Sequence, residues 1–453
     1  MSTARASAGW VLGLGAGLLV SACSWGRFDD LSDSAPVVTL ERPDTVHSGF
    51  GSSLAAARLD DRVRLLVAGS PGARGAALFD LGTGSSPSTD AVDAHHCVGD
   101  SDPCRLARLV AGMGHATASG FGDDPLELCF IAGIGRQETQ GTGLVGRCDD
   151  HREFILAVPD GAVETAIEAA ATDDQPLSLV VSADHDATPA LVAGFGDEQA
   201  AWYYPAGEEH PQPLVAPASP VDESYGNTVA VLRTEPARIL AVGAPEQGHL
   251  WLFRHEAGSS PRAVGCWSGP PGFARTLAAG RVDDDDDDDL VVADDVNVTV
   301  FSGARLLELH SGTADCSLAA LPDATVIASF GCGTTADVNG CDDGAFGRAL
   351  AVGDLDGDGD GEVLVGAPRM TVRDTERAGA VLVFDVEPDS PNELSGVAFV
   401  SSAETGDLLG SALATPSLDE HDIIAAGAPG GSKVALFYCT RLAGGGTVGE
   451  RCR

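Results

Sequence analysis

Residues 354–362 read DLDGDGDGE, and the carboxylates of Asp354, Asp356, Asp358, Asp360 and Glu362 stand at alternate positions. Alternate residues of a tight loop can turn their oxygens toward one point. Carboxylates gathered that closely repel one another unless a cation sits among them. A donor set made wholly of oxygen suits calcium, which accepts about six to eight such ligands in a flexible cage, whereas magnesium asks for a smaller, near-octahedral site. Gly359 provides the sharp turn the loop needs. A solvated Asp/Gly turn without metal is the plainer alternative, and the ligand spacing favours calcium.

A second acidic run, 283–289, is more ambiguous. FARTLAAGRVDDDDDDDLVVA from Phe273 aligns without a gap on FGRALAVGDLDGDGDGEVLVG from Phe346, and that register places Arg281 where Asp354 stands. Asp283, Asp285 and Asp289 then match side-chain ligand positions and Asp287 matches Asp360, while Asp284, Asp286 and Asp288 replace residues that include the turn glycines. A cation at the first position opposes metal binding. The run therefore reads either as a weak calcium site or as a solvated run of charge.

Such loops need rigid flanks. Around 354–362 the flanks are short, apolar and β-branched, bounded by Gly353 and Gly366, which predicts strands. The loop begins like an EF-hand and then departs from it: an EF-hand lies between helices and closes with Glu at its twelfth position, where this chain has Val365. Glu362 must close the site instead. By analogy with the seventh position of related calcium loops, Asp360 would offer its backbone carbonyl.

The strand–loop–strand unit recurs with a period of roughly 50 to 70 residues, the self-similarity of a propeller or solenoid. Copies begin at Phe50, Met113, 179, Tyr225, Phe273, Phe346 and Leu409, and apolar third strands follow, such as 76–79, 249–253, 380–384 and 434–438. FG, then GDxDGDG, then VGAP at 346–368 resembles the FG-GAP repeat of integrin α-chain propellers and of many bacterial surface proteins. The resemblance covers nearly the whole chain after its leader, sharply in the sixth copy and weakly in the second and third. It implies an all-β fold: a seven-bladed β-propeller of four-stranded antiparallel blades over 37–453. Small residues such as Ala55, Ala230, Ala278, Ala351 and Ala412 suit the crowded centre of such a ring. Little chain remains after Tyr438 for a last fourth strand, and 37–40 could supply it, closing the ring by joining the two ends and hiding a sheet edge. The family's multiple calcium sites do not carry over, because most copies lack the acidic loop.

The first 22 residues hold one basic residue, Arg5, and an apolar run at 8–20 too short to span a bilayer as a helix. They read as an export signal. Val20-Ser21-Ala22-Cys23 resembles a bacterial lipobox, so Cys23 is expected to carry the lipid and 23–36 to form a polar tether. Ser24 stands where enterobacterial lipoproteins kept at the inner membrane usually carry Asp, which points to the outer membrane of the cell envelope.

A formal net charge of −40 repels phosphate backbones and argues against nucleic-acid partners. Setting Cys23 aside, the remainder of the 11 cysteines is even in number, which favours disulfides in an exported chain. Cys97 with Cys104, Cys129 with Cys148, Cys332 with Cys341 and Cys439 with Cys452 are close enough in sequence to pair, which leaves Cys266 with Cys316. His95-His96 reads as part of an exposed loop and Asp184-His185-Asp186 as a turn. The chain contains no G-x-S-x-G elbow, HExxH or phosphate loop.

The expectation is a non-catalytic, calcium-stabilised binding or adhesion-like scaffold with a protein or glycan ligand, held to a bacterial membrane by lipid. A calcium-dependent polysaccharide lyase or hydrolase is the rival reading. The connection 369–379, opposite the calcium loop, is long and polar, and Arg369, Arg373, Asp374, Glu376 and Arg377 make it the candidate partner-binding loop; a tolerated surface insertion is the bland alternative.

Overall fold

The structure, a computed structural model, describes residues 37–42, 49–59, 62–68, 75–81, 91–96, 129–134, 143–148, 153–157, 177–182, 190–195, 199–205, 212–216, 224–256, 258–309, 321–332, 338–339, 346–355, 358–386, 394–400, 402–418 and 421–437. Cys23, the leader, the tether, Asp184-His185-Asp186 and the chain beyond 437 lie outside them.

The sixth repeat shows how each unit is built. Ala349–Gly353, Glu362–Ala367, Ala380–Phe384 and Leu394–Ala398 hydrogen-bond side by side, in order, as an antiparallel sheet. The two middle strands are buried along their whole length, because each face meets a different neighbour. Val363, Val365, Ala367, Ala380, Leu382 and Phe384 pack toward the fifth sheet, with Val291, Val300 and Phe330. The alternate residues Leu364, Val381 and Val383 pack toward the seventh, with Leu413, Ile424 and Phe437. A period-2 strand buried on both faces reads as an unbroken apolar run. Phe384 anchors the first of these cores, stacked on Phe330 at 4.3 Å and edge-on to Phe346 at 6.3 Å.

Among the described residues there are six four-stranded sheets and one three-stranded sheet of this kind, together with two short two-stranded ladders. The three-stranded sheet is that of the second repeat, Cys129–Ile134, Gly143–Cys148 and Glu153–Ala157; its expected innermost strand near Met113 lies outside the described residues. Apolar cores lie between the third and fourth, fourth and fifth, fifth and sixth, sixth and seventh, and seventh and first sheets. Val37–Glu41 pairs antiparallel with Lys433–Phe437, so the described chain ends share one sheet.

The sequence motif has a packing reason. The glycine that precedes Ala-Pro in one repeat lies against the turn that opens the next: a Cβ on Gly366 would fall on the Gly410 carbonyl, and one on Gly427 would fall on the Gly51 carbonyl. The receiving glycines, Gly410 and Gly51, adopt φ of 86° and 92°, the left-handed region that glycine enters without cost to a side chain.

Two expectations need correction. His95 and His96 are not in a loop; they end the strand Ala91–His96 and pair with Ala76 and Gly75. The connection 369–379 is no free excursion. Thr371–Val372 pairs with Val338–Asn339, and Met370, Val372 and Ala378 are buried in the core between the fifth and sixth sheets. The charged residues of this connection face solvent, and the apolar ones between them fill the core. Among the described residues no helix is long and apolar enough to cross a membrane.

Candidate metal centre

The fifth-sheet loop leaves the pair Gly280–Asp289, which joins Thr276–Gly280 to Asp289–Ala293. Inside it, side chains fold the backbone back on itself: Asp283 Oδ1 accepts from the Asp285 N–H at 3.1 Å, and Asp285 Oδ1 accepts from the Asp287 N–H at 2.9 Å. Turns of this kind direct alternate carboxylates to one side. Asp289 is fully buried, its Oδ2 accepting from the Val282 N–H at 2.9 Å and its Oδ1 from the Gly303 N–H at 3.0 Å. Gly303 opens the short helix Gly303–Leu307 that follows the third strand.

The result is a cluster of three acids. One carboxylate oxygen from each of Asp283, Asp285 and Asp289 lies within 4.8 Å of the others. Burial pushes the Asp289 carboxyl up to about 7, against the backbone hydrogen bonds that favour its charged form. Burial also raises Asp283, and the charge of Asp285 adds to it. The group is thus rich in hard oxygen donors and short of positive charge, a set that fits calcium. Asp287 is apart from the cluster: its Oδ1 accepts from the Glu235 N–H at 2.9 Å, on the fourth sheet. Burial raises its carboxyl as well.

In the sixth-sheet loop Glu362 stands where Asp289 stands in the fifth. It is buried, and its Oε2 accepts from the Leu355 N–H at 2.7 Å, the counterpart of the Asp289–Val282 bond. Asp354 Oδ2 accepts from the Gly359 N–H at 3.1 Å, and Asp358 Oδ1 from the Asp360 N–H at 3.0 Å. Burial, a hydrogen bond with Asp284 and the charge of Asp358 push the Asp360 carboxyl up to about 6. Asp356 lies outside the described residues.

Arg281 holds the first position of its loop, as the register has it, but its side chain leaves that loop. The ungapped register set it at the first ligand position of its own loop, as an obstacle to metal. Its guanidinium instead reaches the neighbouring loop, where Nη2 donates to the Gly359 carbonyl and Nε lies 3.7 Å from Asp360 Oδ1. No one-dimensional register could show this, because the partner loop belongs to the next repeat.

The same face carries further bonds between sheets. Arg233, in the fourth-sheet turn, holds Asp288 through Nε and Nη2, each at 2.9 Å, and the Asp288 N–H donates to the Arg233 carbonyl at 2.8 Å. On the other side of the sixth loop, Asp422 of the seventh sheet bonds the backbone of Asp354. The acidic loops are therefore braced on both flanks.

At the opposite end of the sixth sheet, Arg369, Arg373, Asp374, Glu376 and Arg377 are all exposed. Arg373 lies over the Phe399 ring, 5.3 Å from its centroid. The carbonyls of Glu376 and Arg377 accept from the N–H groups of Gly406 and Leu408, both at 3.2 Å. This edge is polar, and its backbone is fixed.

Strand, acidic loop, buried strand and third strand thus follow one another from Phe346 to Phe384, with the motif glycines in close contact with the next repeat. Residues 346–384 match the FG-GAP repeat family. Among solved structures the chain is similar to the periplasmic gluconolactonase PpgL of Pseudomonas aeruginosa, with 13% identity and a TM-score of 0.41, over 78% of this chain and 86% of that one. Comparison with curated proteins gives no match.

Proposed function

We propose that this chain is a non-catalytic binding scaffold: a closed, seven-bladed FG-GAP propeller stabilised by calcium and held to a bacterial envelope membrane through lipid on Cys23. The observation that carries the calcium reading is the convergence of Asp283, Asp285 and Asp289 within 4.8 Å. The sixth loop, with Asp354, Asp358, Asp360 and Glu362 together with Asp356, is the second site. Both loops join the first two strands of a blade, so calcium would fix a hairpin at the rim of the ring while the other face stays open to a partner. Antiparallel pairing of Val37–Glu41 with Lys433–Phe437 supports closure of the ring. The register that sets Cys129 opposite Cys148 on adjacent strands supports a disulfide between them. The exposed edge 369–379 is the proposed contact for a protein or glycan ligand.

Thermal melts of the protein with calcium and with chelator test this reading. Chelation is expected to lower the melting temperature. Asp283→Ala with Asp285→Ala, and separately Asp356→Ala with Asp358→Ala, are each expected to remove part of the calcium response. A response unchanged in both double variants would reject the calcium sites. Mass spectrometry of the mature N-terminus checks the anchor: an unmodified protein cleaved elsewhere would rule out lipid on Cys23.

A further inference from the structure

Arg281 makes contacts that calcium binding by its own loop does not require. Its backbone carbonyl accepts from the Gly361 N–H at 2.7 Å, and its guanidinium meets the Gly359 carbonyl, Asp360 Oδ1 at 3.7 Å and Asp286 Oδ1 at 4.0 Å. The two glycines leave room for it. A Cβ on Gly359 would come within 2.7 Å of the Arg281 Nη2, and a Cβ on Gly361 within 2.7 Å of the Arg281 carbonyl oxygen. The glycines of GDGDG thus admit a residue of the preceding repeat as well as making a turn.

We propose that Arg281 is a built-in cation that clamps the sixth-sheet acidic loop in its folded form when no metal is bound. A planar guanidinium with several donors can hold a carbonyl and a carboxylate at once, which a lysine ammonium does less well. The clamp couples the two loops, because moving Arg281 disturbs the backbone of one loop and the side chains of the other. The first-position arginine of the fifth repeat is then a positioning residue for its neighbour. The inference builds on the calcium reading only in treating the sixth loop as a cation site.

The test is hydrogen exchange on the full chain in chelator, comparing the wild type with Arg281→Gln and Arg281→Lys. In Arg281→Gln the backbone of 358–363 is expected to exchange about tenfold faster, as local opening costs less, while the buried strand Ala380–Phe384 keeps its protection. Arg281→Lys, which keeps the charge and loses the fork, is expected to fall between the two. Wild-type exchange in Arg281→Gln overturns the clamp, as does wild-type exchange in Arg281→Lys should the glutamine variant not fold. A calcium titration of the same proteins separates this outcome from the calcium reading: if the wild type ignores calcium, the calcium reading fails and the chelator data still decide the clamp.

Discussion

Asp354 and Asp422 exchange hydrogen bonds across two sheets: the Asp354 N–H donates to Asp422 Oδ2 at 3.1 Å, and the Asp422 N–H donates to the Asp354 carbonyl at 2.8 Å. Where the sixth repeat has its acidic loop, the seventh carries the short hairpin Ser417–Leu418 and His421–Asp422. One acid of that turn now braces the first position of the neighbouring loop. Asp422→Ala removes an acceptor from a half-buried N–H, and such losses cost about 1–3 kcal/mol. The variant is expected to melt lower in chelator, and its sixth loop to bind calcium more weakly in a calorimetric titration. A melt and an affinity equal to wild type would show the brace to be idle.

Asp289 and Asp285 belong to one cluster and are held differently. Asp289 satisfies the N–H groups of Val282 and Gly303 from a fully buried position, whereas Asp285 is half-buried and closes a turn within its own loop. Asp289→Ala is therefore expected to cost roughly 1–3 kcal/mol even without calcium, because buried donors lose their partner. Asp285→Ala is expected to change the metal-free melt less and to reduce the calcium response. Denaturant midpoints with and without chelator separate the two, and equal metal-free losses would contradict this division of roles.

Gly366 tests the repeat motif itself. A methyl group there would run into the carbonyl of Gly410 and crowd Ala349. Overpacking of a tight contact costs about 1–3 kcal/mol, and here the obstacle is backbone that cannot rotate away. Gly366→Ala is expected to lower the denaturant midpoint with little change in slope. Gly406 has open space around its Cβ position and φ of 86°, so Gly406→Ala reports the backbone cost alone. If the two lose the same stability, close approach between repeats is not what fixes the motif.

The sheets were legible because their signal is local. Runs such as 363–365 and 380–384 are apolar at every position since both faces are covered, and a glycine stands at one end of each. The acidic positions of the fifth loop could also be picked out by register, because the two loops are built alike: Asp289 and Glu362 each accept from the N–H that opens the loop. What lay hidden was contact between repeats. Arg281 and Gly359 are 78 residues apart, and Gly303 reaches Asp289 across a whole strand. The edge 369–379 misled for a related reason: its arginines and acids are exposed as expected, but Met370, Val372 and Ala378 are core residues. Shortening that connection would unfold part of the core, so its binding role has to be probed by exchanging Arg369 and Arg377 alone.

The proposed closure of the ring rests on a few residues and can be tested by removing them. Val37–Glu41 lies along the outer edge of Lys433–Phe437, covering backbone that would otherwise face solvent, and Leu40 is fully buried with Phe50, Leu54 and Leu436. A chain starting at residue 43 would expose that edge and lose the Leu40 contacts. An uncovered strand edge pairs readily with another chain, and losing a buried leucine side chain costs about 2–5 kcal/mol. The truncated protein is expected to melt lower and to self-associate in sedimentation, and a chain starting at residue 37 to stay monodisperse. Adding the peptide 37–42 in excess should restore the melt in part. Leu40→Ala, which keeps the backbone pairing, is expected to lower the melt without self-association. A truncated protein as stable and monodisperse as the chain starting at residue 37 would show that this strand does not close the ring.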